Sequence, residues 1–415
     1  MTQSEKQSVP KLRFPDFDGG WRPRALRAFV DPQRKITYGI VQPGEFVAEG
    51  VPLVRGGDYS DGWVPFDHIK RVTPKIDAPY KRSKLKADDL LMTIVGANTG
   101  TIAKVPDWLN GANITQTTAR IAVDRESADT GFILQCLQSD IGQNEVRKYI
   151  KGAAQPGLNL SDVERFRVPA PSLPEQRKIA SFLGAVDTKI AQLAEKKRLL
   201  ENYKKGCVQQ LFSQKIRFHD DTGNEFPDWE EKPLHSFLTE TKAKSDGTEA
   251  VFSVSVHKGL INQVEHLGRS FSAADTSHYN RVDPGDIVYT KSPTGDFPFG
   301  IIKQSRLDTS LIVSPLYGVF RPETPWLGYW LHVYFESSIY TGNYLKPIIQ
   351  KGAKNTINIT NKTFLSAKLK VSTHPEEQRK IADFLSALDR KINLVGQELD
   401  HARSFKQGLL QQMFV

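Results

Sequence analysis

Residues 174–190 read PEQRKIASFLGAVDTKI, and residues 376–392 read EEQRKIADFLSALDRKI. Pairing each position n with n + 202 matches Glu175 with Glu377, Gln176 with Gln378, Ile179 with Ile381, Leu183 with Leu385, Asp187 with Asp389 and Ile190 with Ile392. The same offset still holds at Lys204/Lys406, Gln210/Gln412 and Phe212/Phe414. An uninterrupted match of this length is what one continuous helix requires, because a single inserted residue would rotate its apolar face by about 100°. The apolar positions step by four and three: Ile179, Leu183, Val186, Ile190, Leu193 and Leu200 in the first copy, and Ile381, Leu385, Leu388, Ile392, Val395 and Leu399 in the second. That heptad rhythm predicts two long helices joined in a coiled coil, with Leu183, Ile190 and Leu193 against Leu385, Ile392 and Val395 or their neighbours. The blander alternative is two helices each packed on its own domain. Ser172-Leu-Pro-Glu175 and Thr373-His-Pro-Glu376 fit a capping box at each helix start.

The repeat extends upstream. KLRF at Lys11 and KIRF at Lys215 open the two copies, each followed by a tryptophan, Trp21 and Trp229. KGAAQPGLNLS at Lys151–Ser161 echoes KGAKNTINIT at Lys351–Thr360. Between these landmarks the chain is rich in short strand-like runs broken by glycine and proline. Asp89–Val95, the turn Gly96–Gly100 and Thr101–Val105 predict a hairpin, with a counterpart in Asp286–Lys291, a long loop and Gly300–Lys303. Framework positions recur while loop contents diverge, as expected of one scaffold carrying two different reading surfaces.

Composition narrows the function. At 415 residues the chain is too long for one ordinary core. With 39% hydrophobic and 25% charged residues it is neither disordered nor membrane-spanning. Two cysteines, Cys136 and Cys207, exclude a disulfide scaffold or a zinc ribbon and fit a reducing cytoplasm. The net charge of +9 is uneven along the chain: residues 1–214 hold 32 Lys and Arg against 24 Asp and Glu, the remainder 24 against 23. A basic excess favours a polyanionic partner, and here it points to the first half.

Catalytic patterns are missing. The sequence holds no Gly-Lys dipeptide, hence no phosphate-cradling P-loop, and no Gly-x-Gly-x-x-Gly fingerprint. Pro227-Asp228-Trp-Glu-Glu-Lys232 superficially resembles a nuclease acidic set, but two residues cannot bridge the separate strands such sites use. Because Trp229 pairs with Trp21, the segment reads as a domain entry. His257, His266 and His278 do not fall at metal-ligand spacing. The apolar run Trp326–Trp330 reads as core, since its counterpart Thr130–Leu134 is also apolar and opens a helix.

A tandem repeat of a strand-rich domain and a long helix, with Gly152-Ala-Ala-Gln-Pro-Gly-Leu-Asn159 ahead of a Pro-Glu-Gln-Arg-Lys-Ile-Ala helix start, resembles the specificity subunit of type I restriction–modification systems. The second glycine loop, Gly352–Asn358, is one residue shorter. The resemblance covers essentially the whole chain. It implies an α+β protein with target-recognition domains at 11–170 and 215–372, and spacer helices at 171–214 and 373–415 packed as an antiparallel coiled coil. Each domain would read half of an asymmetric, bipartite site on double-stranded DNA. Modification subunits carrying S-adenosylmethionine, and a motor-nuclease restriction subunit, would do the chemistry, so no cofactor and no metal are expected on this chain. The base readers expected in the first domain are Asn98 and Thr99 at the hairpin turn, Asn113 and Gln116, and Gln155 in the glycine loop. In the second they are Lys291, Ser292 and Thr294 at the hairpin, Ser314, and Lys354 and Asn355. Two rival readings stay open: a free-standing two-domain DNA-binding regulator, and an interaction scaffold that binds no DNA.

Overall fold

The computed structural model describes residues 8–152, 155–264, 275–351 and 357–414. The chain folds into two units, residues 1–195 with 396–415 (unit 1) and residues 196–395 (unit 2). Both divisions fall inside long helices, Leu173–Phe212 and Pro375–Met413. Each unit therefore combines one strand-rich region, the first part of the helix that follows it, and the last part of the other helix.

The strand-rich regions share one four-stranded sheet order. Unit 1 holds an antiparallel sheet in the order Thr37–Tyr38, Thr118–Ile121, Leu90–Thr93, Ile102–Lys104. Unit 2 repeats that order with Leu238–Glu240, Gly318–Pro322, Ile287–Tyr289, Ile302–Gln304. The last two strands of each sheet are the hairpins expected from sequence, registered Leu90↔Lys104 and Ile287↔Gln304. A small entry–exit ladder closes each unit: Arg24–Ala25 with Arg167–Val168, and Glu230–Pro233 with Lys368–Val371. Two consecutive helices pack beside each sheet, Thr130–Gln138 and Asp140–Tyr149 in unit 1, Pro325–Glu336 and Ser338–Leu345 in unit 2. Trp326–Trp330 lies within the third of these, with Leu327, Tyr329 and Trp330 buried.

The helix ends are exchanged between copies. Leu409, Met413 and Phe414 join Trp21, Phe132, Ile179 and Leu183 in the core of unit 1. Cys207 and Leu211 join Trp229, Trp330, Ile381 and Leu385 in the core of unit 2. Trp21 meets Phe414 edge-on at 6.5 Å, and Trp229 meets Phe212 in the same way at the same distance. Within each unit the paired helix segments run antiparallel. This corrects the expected contact of Leu183 with Leu385, because antiparallel pairing sets the start of one helix beside the end of the other. Of the apolar heptad positions, Ile179, Leu183, Leu193, Ile381, Leu385, Ile392, Val395 and Leu399 are buried, and Val186, Ile190, Leu200 and Leu388 are half-buried. Lys204 and Lys406, which interrupt the apolar rhythm, each meet an aspartate of the opposing helix: Lys406–Asp187 and Lys204–Asp389, both 2.7 Å.

The paired motifs KLRF and EQRKIA prove to be two halves of a clasp. Glu175 accepts from Arg13 Nε and Nη2 at 2.7 and 2.9 Å. In unit 2 the fully buried Glu377 accepts from Arg217 Nε and Nη2, both 3.1 Å, and from Trp229 Nε1 at 3.0 Å. Phe14 packs edge-on against Phe182, and Phe218 against Phe384. No capping-box hydrogen bond is present at either helix start among the described residues; Glu175 is engaged by Arg13 and Glu376 by Lys380. The neighbouring glutamines reach back instead: Gln176 Nε2 donates to Pro171 O and Gln378 Nε2 to Ser372 O. Glu377→Ala would strand a guanidinium and an indole N–H without their acceptor, a loss of about 3–5 kcal/mol for breaking a buried pair from one side. Denaturant unfolding followed by tryptophan fluorescence measures it; a loss below about 1 kcal/mol would show that the clasp does not hold the unit.

Unit 2 also buries a histidine. His332 Nδ1 accepts from Gln304 N at 3.2 Å, which fixes the neutral ring with its proton on Nε2. Burial lowers its pKa to about 4. The folded state thus refuses a proton that the unfolded chain takes up near pH 6.5, so this contribution is intact above pH 6.5 and is lost as the pH falls toward 4. The full loss is about 3 kcal/mol at 1.36 kcal/mol per unit. His332→Gln should flatten the stability profile of the chain between pH 6.5 and 4; an unchanged slope would assign the acid sensitivity to other groups.

Candidate nucleic-acid interface

In unit 1 the hairpin turn is built on two glycines in the left-handed region, Gly96 (φ 107°) and Gly100 (φ 94°). The Thr99 hydroxyl lies within bonding distance of Gly96 O (2.6 Å) and Pro156 O (3.1 Å). Gly96 N also donates to Pro156 O at 2.9 Å, and Leu158 N to Ile94 O at 2.8 Å. These bonds staple the glycine loop to the hairpin, bringing Gln155 to the same edge as Asn98 and Thr99. Ile94 N donates to Thr117 O at 2.8 Å, which brings the loop of Gln116 alongside as well. Asn98, Gln116 and Gln155 are exposed. Thr99 is half-buried, and its hydroxyl proton is committed to the staple.

Asn113 is a correction. It is fully buried, its amide donates to Asp77 Oδ1 and Tyr80 O, and its Oδ1 accepts from Ser83 Oγ and Ile114 N. All its capacity serves the scaffold, and none is left for a base. Its strand, Asn113–Ile114, pairs in parallel with Leu53–Val54 in the interior, a neighbour that the local N-I-T-Q pattern does not reveal.

In unit 2, Lys291 is half-buried and takes a left-handed backbone, φ 56°. Burial lowers the pKa of its ammonium, against an opposing pull from the Glu240 carboxylate. Ser292 and Thr294 are exposed on the same loop, which is closed by reciprocal bonds between Thr294 and Phe297 at 3.1 and 2.9 Å. Ser314 sits apart at the next turn, where its Oγ accepts from Leu316 N at 3.3 Å, and no hydrogen bond joins it to the hairpin loop among the described residues. Lys354 and Asn355 lie outside the described residues.

Sequence reasoning missed part of the surface in unit 1. Behind the hairpin turn lies a cleft of about 710 Å³, lined by Asn98 and Thr99 and also by Tyr59, Trp63, Lys104 and Gln143. Trp63 has no partner in the repeat, so repeat matching could not flag it. The charge asymmetry also changes meaning once the fold is known. Lys196, Lys197, Arg198, Lys204 and Lys205 belong to unit 2, so unit 1 holds 29 Lys and Arg against 25 Asp and Glu, and unit 2 holds 27 against 22. The two units carry nearly equal positive charge, and neither is the basic end.

The model of the type I restriction modification DNA specificity domain matches residues 48–202 and 317–402. The chain is 36% identical over 159 residues to the specificity subunit of the type I restriction enzyme EcoBI of Escherichia coli, covering 38% of this chain and 33% of that protein. It is 23% identical over 216 residues to the MjaVIII specificity subunit of Methanocaldococcus jannaschii, covering 51% of this chain and 50% of that protein. The alignments thus span a third and a half of these two relatives. Among solved structures, the S subunit of a type I restriction–modification system from M. genitalium matches with a TM-score of 0.62 at 14% identity, over 98% of this chain and 99% of that one. That likeness establishes the fold.

Proposed function

Because the chain belongs to the type I restriction–modification DNA specificity family, we propose that it is the non-catalytic DNA-reading subunit of such a system. Residues 11–170 and 215–372 act as its target-recognition domains, and 171–214 and 373–415 as its spacer helices. The observation that carries this reading is the pair of units with one sheet order and different turns at the same hairpin position: Asn98-Thr99 in one, Lys291-Ser292 and Thr294 in the other. A repeated frame with unlike exposed turns suits an asymmetric site read in two halves. Lysines and arginines of both units neutralise phosphates and give salt-sensitive, sequence-independent affinity. Sequence comes from short polar side chains at base edges, such as an amide on adenine.

Methyl transfer and cleavage reside in partner subunits, with S-adenosylmethionine bound there, in the cytoplasm. Among the described residues no helix is long and apolar enough to cross a membrane. Methylation mapping of host DNA with and without the gene tests the proposal. The expected result is loss of methylation at one asymmetric, bipartite motif; an unchanged methylome in a host where the complex is produced would overturn it.

A further inference from the structure

The cleft behind the unit 1 hairpin has the chemistry of a base pocket. One wall is aromatic and rigid: the Trp63 indole N–H donates to Lys104 O at 3.2 Å, and its ring sits 5.4 Å from Tyr59 and 5.8 Å from Trp108, the latter edge-on. Tyr59 is itself buried and tied through its hydroxyl to Thr93 Oγ1 at 2.9 Å. Asn98, which lines the same cleft, is exposed and makes no side-chain hydrogen bond among the described residues. Gln143 commits its Nε2 to Gly100 O and Leu137 O, which leaves its Oε1 as an acceptor. The volume of about 710 Å³ falls within the range of small-molecule sites, roughly 300–1,000 Å³.

Shape and charge decide what would enter. Base edges line the floor of a groove and are met by protruding side chains, so a concavity is filled only by something that projects from the duplex. A phosphate ridge would call for a cluster of cations, yet Lys104 is the one lysine on the cleft, no arginine lines it, and the Lys104 ammonium already lies 3.0 Å from the Asp88 carboxylate. An aromatic wall and amide groups lining one cleft suit a nucleobase instead, stacked on the ring and hydrogen-bonded at its edge. We propose that this cleft receives a nucleobase displaced from the duplex, stacked on Trp63 and read by Asn98. The inference rests on the DNA-reading function proposed above. It applies to one half-site only, since the second copy has no tryptophan between Trp229 and Trp326.

Displacing a base costs unpairing and unstacking, and a mismatch removes part of that cost in advance. The full chain, assembled with its modification subunits, is titrated with duplexes carrying the mapped target and a single mismatch at each position of the unit 1 half-site. One mismatch should tighten binding by about tenfold. Trp63→Ala should abolish that increment and Trp63→Phe should keep part of it, while Asn98→Ala should leave the increment but erase its preference for the displaced base. Circular dichroism and thermal melting report whether each variant is folded. Matched target bound normally, with no mismatch tightening it or with the increment intact in Trp63→Ala, would overturn the pocket alone. No preference for the mapped target over random DNA would overturn the DNA-reading function and the pocket with it.

Discussion

A chain in which residues 215–372 are exchanged for the corresponding segment of another family member is expected to methylate a new motif, with the unit 1 half of the target unchanged and the other half replaced entirely. The structure sets the condition for success. The exchanged segment carries Arg217, Trp229 and Trp330, which must still meet Glu377, Phe212 and Leu385 of the retained helices. A donor lacking the arginine or the tryptophan leaves Glu377 buried without its donors, or leaves a cavity beside Phe212. Either fault costs about 3–5 kcal/mol. A donor that keeps the KIRF and tryptophan positions preserves the clasp, and the turn at Lys291–Thr294 changes without disturbing it. Methylation mapping reads the outcome directly. Change in both half-sites, or in neither, would show that the units do not read independently.

What the sequence made legible follows from the range of the interactions involved. The helix seam was readable because its signal is local and periodic: Ile179 and Leu183, or Ile381 and Leu385, identify a buried stripe without reference to any partner. The clasp was visible only as two unrelated repeats, since Arg13 and Glu175 lie 162 residues apart and no local rule joins them. The same limit produced the misreadings. Asn113 looked like a reader because it shares the short run Asn-Ile-Thr-Gln with Gln116, whereas its partners Asp77 and Ser83 arrive from another segment. The basic first half dissolved into two similarly charged units because the helix ends are exchanged, a fact of tertiary structure that charge counting along the chain cannot register. The turn positions of Asn98 and Thr99 were legible through the glycines that flank them, but the cleft beside them was not. Its wall, Trp63, comes from a stretch with no counterpart in the second copy.

Four residues inserted into both long helices, after Glu195 and after Val395, are expected to lengthen the recognised spacer by one or two base pairs and to leave both half-site sequences unchanged. The insertion points are where each helix passes from one unit to the other, so no core residue of either unit is moved from its own neighbours. Four helical residues add about 6 Å and about 40° of rotation. One or two base pairs add about 3.4 or 7 Å, with about 34° or 69° of twist at 10.5 base pairs per turn. Length and rotation thus change in the same sense in protein and DNA, and a shifted spacer can satisfy both. A seven-residue insertion makes the contrasting case. It keeps the heptad phase and adds about 10.5 Å, close to three base pairs, but a heptad returns the seam to the same face while three base pairs turn the DNA by about 100°. That variant should fold, keep its helical signal, and lose methylation of every spacer length. Mapping methylation for the two variants separates the alternatives: a four-residue variant that remains active on its original spacer, or a seven-residue variant that simply shifts by three, would show that the helices do not fix the separation and rotation of the two readers.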